Sequence, residues 1–214
     1  MADSALTPDA ILEAAEDCLR RFGPDKAAVI DVARALRVSH GSVYRHFASK
    51  ADLRDAVGAR WLERISTPLQ EIVKEKTAPI PRLRRWFDRL IAINRQLAQE
   101  DPHLFATYVQ LTASARPVVD RHATELIQQL TQIIEAGIRT VDIIDLPEAP
   151  VTARALYEAT ARFHHPALLQ ERSAAEADAA FELVWDLLLT GLVDPEQQSM
   201  PRPRVRRGLP PHKR

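Results

Sequence analysis

Glycine occurs only 6 times in 214 residues, and β-branched residues are scattered rather than clustered. Strands and tight hairpins draw on both, whereas the abundant alanine, leucine, arginine and glutamate are strong helix formers, so an all-α fold is predicted. The length exceeds one ordinary domain without demanding two large ones, which favours a small module joined to a larger body. A hydrophobic fraction of 46% beside 27% charged residues supports a packed core and excludes a chain disordered throughout. The longest charge-free stretch, Pro102 to Ala115, is too short and too polar to cross a bilayer, so no membrane partner is expected. No basic segment followed by an apolar one opens the chain, and the lone Cys18 cannot form an internal disulfide. The reducing cytoplasm is therefore the expected location.

Proline divides the chain into about nine expected helices. Thr7-Pro8 suits a capped helix start, and Ile11, Ala14, Ala15, Cys18, Leu19 and Phe22 then recur at helical spacing until Gly23-Pro24. A short helix carries Val29, Val32, Ala33 and Leu36, and another, capped by Ser39, covers His40 to about Phe47. Ser49 and Asp52 have capping-box spacing and open a long helix through Leu53, Val57, Trp61 and Ile65, which Pro68 is expected to end or kink. Five more helices are expected near 80–99, 102–114, 117–138, 151–165 and 174–192.

Lysine plus arginine equals aspartate plus glutamate at 29 each, but the charge is unevenly spread. Between Asp31 and Asp52 there is no acid, while Arg34, Arg37, Arg45 and Lys50 give +4. Residues 61–193 carry 14 basic and 18 acidic residues, a poor surface for DNA, whereas the end of the chain is basic and rich in proline. The expected division is a small N-terminal module over 1–48, a body over 49–194 and a disordered basic tail over 195–214.

The basic stretch from Ile30 to Phe47 has the form helix, short turn, helix, with the turn near Arg37-Val38-Ser39. In such a unit the second helix enters the major groove of double-stranded DNA and the first crosses the backbone. Ser39, His40, Gly41 and Ser42 form the first turn of the reading helix, where Gly41 permits close approach to the groove. Tyr44, Arg45 and His46 are candidate contacts beside it, and Lys50 is a cation in a helix's first turn, where a phosphate partner would account for it. Val43 and Phe47 are expected to pin this helix to Ile11, Leu19 and Leu36.

From Val32-Ala33 through Leu36-Arg37-Val38-Ser39-His40-Gly41-Ser42-Val43-Tyr44-Arg45-His46-Phe47 to Lys50-Ala51-Asp52-Leu53, the sequence resembles the DNA-binding domain of the TetR family of bacterial repressors. The Y-x-H-F-x-x-K pattern about 40 residues into a helical chain of this length carries that resemblance, which is strong over residues 10–60 and architectural beyond them. It implies a three-helix head at 8–48 and a helical body that dimerises through its last two helices and holds a small-molecule pocket. One departure is Ala27-Ala28, where the family has serine or threonine at the start of the second helix.

Within the body, Phe105, Tyr108, His122, Leu126, Phe163 and His164 are the candidate pocket residues for an unidentified small-molecule effector. His103, His122, His164 and His165 come from three helices of the same half, and a divalent metal is the second ligand class they suit; buried, satisfied histidines are the bland alternative. The last helix has an apolar stripe at Phe181, Val184, Trp185, Leu188 and Leu192, widened by Leu183, Leu187 and Leu189, broader than one neighbour needs, and so is the expected homodimer interface. Cys18 belongs with the core.

The leading function is a ligand-responsive, sequence-specific repressor, a homodimer on a palindromic operator. A metal-dependent helical enzyme is disfavoured because no H-E-x-x-H, paired-cysteine or G-x-S-x-G element occurs, so the protein is not expected to be an enzyme. A protein-binding adaptor using the apolar face of the last helix is the third reading.

Overall fold

A computed structural model describes residues 6–113, 117–144, 148–171 and 173–194, which leaves the expected basic tail outside the described residues. The described residues form ten α-helices, one short 3-10 helix and no strand. Three small helices come first: α1 (Pro8–Lys26), α2 (Val29–Ala35) and α3 (His40–Tyr44). The long α4 (Lys50–Lys74) leads to α5 (Pro79–Glu100), α6 (Pro102–Ala113) and α7 (Pro117–Arg139). The chain closes with α8 (Ala149–Ala159), α9 (Ala161–His164), the 3-10 helix Pro166–Glu171 and α10 (Ala174–Thr190).

Local chemistry sets many of the boundaries. Thr7, Ser39, Ser49 and Ser173 each accept a backbone N–H in the first turn of their helix, meeting donors that helix geometry would otherwise orphan. Gly23 interrupts α1 at φ +75°, a conformation that favours glycine. Pro68, expected to end or kink α4, does not end it: the helix runs through it to Lys74. Proline there forgoes one intrahelical bond, and burial of Ile65, Leu69 and Val73 on the same helix outweighs the loss. The single helix expected over 151–165 divides at Thr160, whose hydroxyl donates to the Leu156 carbonyl at 2.8 Å, a local bond that competes with helix propagation.

Two apolar clusters result. The larger joins α4, α5, α7, α8 and α10 around Trp86, Phe87, Leu90, Leu130 and Ile133. A buried relay ties three of these helices: Trp86 Nε1 donates to Gln129 Oε1 at 2.9 Å, and Gln129 Nε2 donates to the Ser66 carbonyl at 3.1 Å. On the outer side, Arg84 pairs with Glu182 and lies over the rings of Phe181 and Trp185, fastening α5 to α10. The smaller cluster holds Ile11, Leu19, Val32, Val43, Leu53 and Val57, with Leu36 and Phe47 packed at its edge, as the apolar spacing predicted.

Besides Leu53 and Val57 of α4, the smaller cluster contains one residue from farther along the body, Leu104 of α6. Just before it in sequence, Asp101 accepts a bond from Arg20 Nε of α1 at 3.0 Å, and His103 Nδ1 lies 2.6 Å from the Arg20 carbonyl, its N–H donating. Glu16, 3% exposed, lies in the same seam and receives Arg64 of α4 at 2.6 Å, with Arg20 and Arg60 at 3.4 and 3.5 Å.

Candidate nucleic-acid interface

The turn before α3 is held from within. Val38 N–H donates to the Ala33 carbonyl at 3.0 Å, Arg37 takes φ +56°, and Ser39 Oγ accepts from Ser42 N–H at 3.1 Å. A left-handed backbone on a non-glycine residue is strained by about 1 kcal/mol or more, and sequence reading gave no warning of it because Arg37 looked like one more member of the basic run. Val43 is fully buried against α1 and α2, so α3 has one orientation available. Ser39, His40, Gly41, Tyr44, Arg45, His46 and Lys50 are all exposed, and Ser42 is half-buried beneath them.

Gly41 has no internal reason to be glycine, since a Cβ there would meet nothing nearer than Ser39 Oγ at 3.9 Å. Close approach by something outside the chain remains as a reason. His40 and Tyr44, one turn apart, meet edge to face at 4.7 Å, which orders both rings on the outer surface. At the start of α2, where Ala28 offers no hydroxyl, Asp31 Oδ2 accepts the Ala28 N–H at 3.2 Å instead. Asp31 also holds Arg34 at 3.1 Å. The cap is thus filled by a carboxylate, which would repel a phosphate rather than bind it.

The candidate pocket residues Phe105, Tyr108, His122, Leu126, Phe163 and His164 are all buried. Tyr108 packs on Trp61 at 4.7 Å, and burial pushes its hydroxyl pKa up. Phe105 lines one open cleft and Phe163 another. His164 stacks on Tyr157 at 4.7 Å and sets Nε2 3.2 Å from the Tyr157 carbonyl, while His122 Nε2 is buried without a partner. Burial lowers both imidazoles to about 4, so both are neutral at pH 7. His103 is committed to the seam with α1. Among the described residues no three histidine, cysteine or acidic side chains gather closely enough to hold a metal ion, so the proposed set of His103, His122, His164 and His165 is not brought together.

Phe181 and Trp185 on α10 and Leu192 just beyond it face inward, Phe181 and Trp185 against Phe87, and belong to the core of the chain itself. Val184 and Leu188 are half-buried, and the outward apolar residues are Leu183 at 66% and Leu187 at 71% exposure. Their i, i+4 spacing was visible in the sequence, but a helix that is apolar almost all round gives no sign of which side turns inward.

Comparison with known proteins agrees with this geometry. Residues 11–57 match bacterial regulatory proteins of the tetR family, and residues 79–185 match the tetracyclin repressor-like C-terminal domain. An HTH-type transcriptional repressor of Mycobacterium tuberculosis is 36% identical over 80 residues, a match spanning 37% of this chain and 40% of the relative's length. Among solved structures, SmeT, the repressor of the Stenotrophomonas maltophilia multidrug efflux pump SmeDEF, superposes with a TM-score of 0.66. That match has 17% identity and covers 98% of this chain and all of SmeT. FadR of Bacillus subtilis, solved in complex with stearoyl-CoA, gives a TM-score of 0.64 at 17% identity, covering 86% of this chain and 99% of FadR. Since the C-terminal match alone takes in half of the chain and the N-terminal match falls on the helix-turn-helix just described, the protein belongs to the TetR family of bacterial regulatory proteins.

Proposed function

We propose that the protein is a cytoplasmic, ligand-responsive transcriptional repressor that binds a palindromic operator as a homodimer. The observation that carries this is the Ser39-capped α3, pinned by Val43 and presenting His40, Gly41 and Ser42 from a surface without an acidic residue between Asp31 and Asp52. In the major groove these three residues read base edges, while Tyr44, Arg45, His46 and Lys50 hold flanking phosphates. The head over residues 1–48 is the reading unit, and the body over 49–194 provides dimerisation and the effector site. Leu183 and Leu187, with exposed Val151 of α8, supply the apolar face for the two-fold partner, which is needed to set two reading helices at the spacing of two half-sites.

The stearoyl-CoA complex of FadR and the role of SmeT at a multidrug pump support a small-molecule effector here. Such a ligand releases the operator by favouring a state in which the two heads no longer fit both half-sites, and operator DNA must weaken effector binding by the same factor. The route from body to head is α6, which carries Asp101's neighbour Leu104 into the head's core. The regulatory family and the dispersed histidines leave the enzyme reading without support.

Selection of bound sequences from a random DNA pool tests the reading and is expected to return an inverted repeat. On that sequence Lys50→Ala should weaken binding and reduce the salt slope by about one unit, and Leu187→Glu should give monomers in sedimentation. A pool that enriches nothing, or a Leu187→Glu protein that stays dimeric at low micromolar concentration, refutes the corresponding part.

A further inference from the structure

Two clefts open on the body; they share Ala98 of α5, and each is lined by different, successive residues of the 3-10 helix Pro166–Glu171. The first, of about 280 Å³, lies between the end of α5, α9 and the start of α10. Its wall sets Arg95 and Arg162 beside apolar Phe163, Leu168 and Leu169, and among the described residues none that lines it is acidic. The second, of about 310 Å³, lies between α5 and α6 and is lined by Pro102, Phe105, Ala106 and Val109, with Pro166 and Ala167 from the 3-10 helix. Each is at the lower limit for a small-molecule site on its own.

We propose that the two clefts are the halves of one site, spanned by the 3-10 helix, for an elongated apolar carboxylate. The acid group lies against Arg95 and Arg162, and the apolar chain passes Ala98 toward Phe105. Asp178 holds Arg95 Nη1 at 2.6 Å, which fixes the guanidinium in place while using one of its five N–H donors. A carboxylate is the group that a planar guanidinium matches best, and the apolar lining supplies the remaining area. This deepens the ligand-responsive reading by naming the ligand class, and it gives a consequence: the far half of the site is walled by α6, whose Leu104 is seated in the head's core.

Calorimetric titration of the full chain with decanoate, with decanol as the uncharged probe, tests the site without any DNA. Decanoate should bind about tenfold or more tightly than decanol, and the Arg95→Gln/Arg162→Gln double variant should bring the two to the same weak level. Arg162→Gln alone, on an exposed side chain, should lose part of the preference, and Asp178→Asn should keep it, which separates loss of the guanidinium from loss of the ion pair. Ala106→Trp should weaken decanoate and leave butanoate unchanged, because only the long chain reaches the second cleft. Equal binding of decanoate and decanol, or a double variant that melts like the parent and binds decanoate as tightly, overturns the carboxylate assignment. Full decanoate affinity in Ala106→Trp overturns the joining of the two clefts. A failed operator selection would sink the proposed function and leave this titration readable, whereas a failed titration would leave operator binding untouched.

Discussion

The head matches its buried carboxylate with arginines, whereas the body mixes matched and unmatched buried polar groups. Glu16, the head's buried carboxylate, is surrounded by Arg20, Arg60 and Arg64, so its charge is matched on three sides. The body satisfies Trp86 and Gln129 in its buried relay, but Trp61 Nε1, Arg82 Nε, Asn94 Oδ1 and His122 Nε2 are buried with no partner among the described residues. Arg54 Nε, on the first turns of α4, is the one such atom near the head. A satisfied polar group favours one arrangement of its neighbours, while an unsatisfied one costs free energy that a rearrangement or a ligand can recover. The contrast suits the proposed division between a head that must hold its shape to read DNA and a body that must change on binding an effector.

The sharpest way to break this contrast is at the shared residue. Leu104→Ala removes a fully buried side chain from the smaller core, and a loss of about 2–4 kcal/mol is expected. Hydrogen exchange should show the loss in the amides of α1 to α3, although the mutation lies on α6. Protection lost only within the body would mean that the two clusters are independent and the comparison misdrawn.

Acid provides the next largest effect and acts on the body. His122 and His164 are lowered from 6.5 to about 4 by burial, with the Tyr157 carbonyl opposing the shift at His164. Between those values the unfolded chain binds protons that the folded body does not, so stability falls as pH falls, by roughly 1–2 kcal/mol per histidine at pH 5. Thermal melts of the parent at pH 7 and pH 5 should show the loss, and His122→Leu should recover part of it. An unchanged pH dependence in that variant would show that His122 is not the group titrating.

The smallest effect concerns the head. Arg37→Gly relieves the φ of +56° and should raise stability by about 0.5–1 kcal/mol while weakening DNA binding through the lost cation. Tighter DNA binding by the glycine variant would show that Arg37 makes no contact with the duplex.

Much of the head was legible because its signals are local. A serine cap, a glycine in the reading helix, an acid-free stretch and apolar residues one turn apart each act within a few positions of themselves. The body was legible in its element order, since prolines lie at or near most of its boundaries. Which surfaces meet was harder to read: His122 and His164 each fell on an inward face as expected, but their distance from one another depends on which helices neighbour which. Likewise α10 is apolar on nearly every side, so Trp185 and Leu187, two residues apart, looked equivalent until packing turned one inward and the other out. That α4 continues past Pro68 was not legible because the penalty for one residue does not reveal the burial of its neighbours.

The Leu104 contact also limits how such a regulator can be recombined. A head cut at residue 48 and grafted onto another body would arrive without Leu53, Val57 and Leu104, leaving the inner face of α1 with an apolar socket and Arg20 without Asp101. The transferable unit is discontinuous: it comprises α1 to α3, the first two turns of α4 and the opening turn of α6, two pieces of chain about fifty residues apart. Exchange by a single crossover would therefore yield hybrids whose specificity is borrowed intact but whose melting point depends on what the recipient's sixth helix places in that socket.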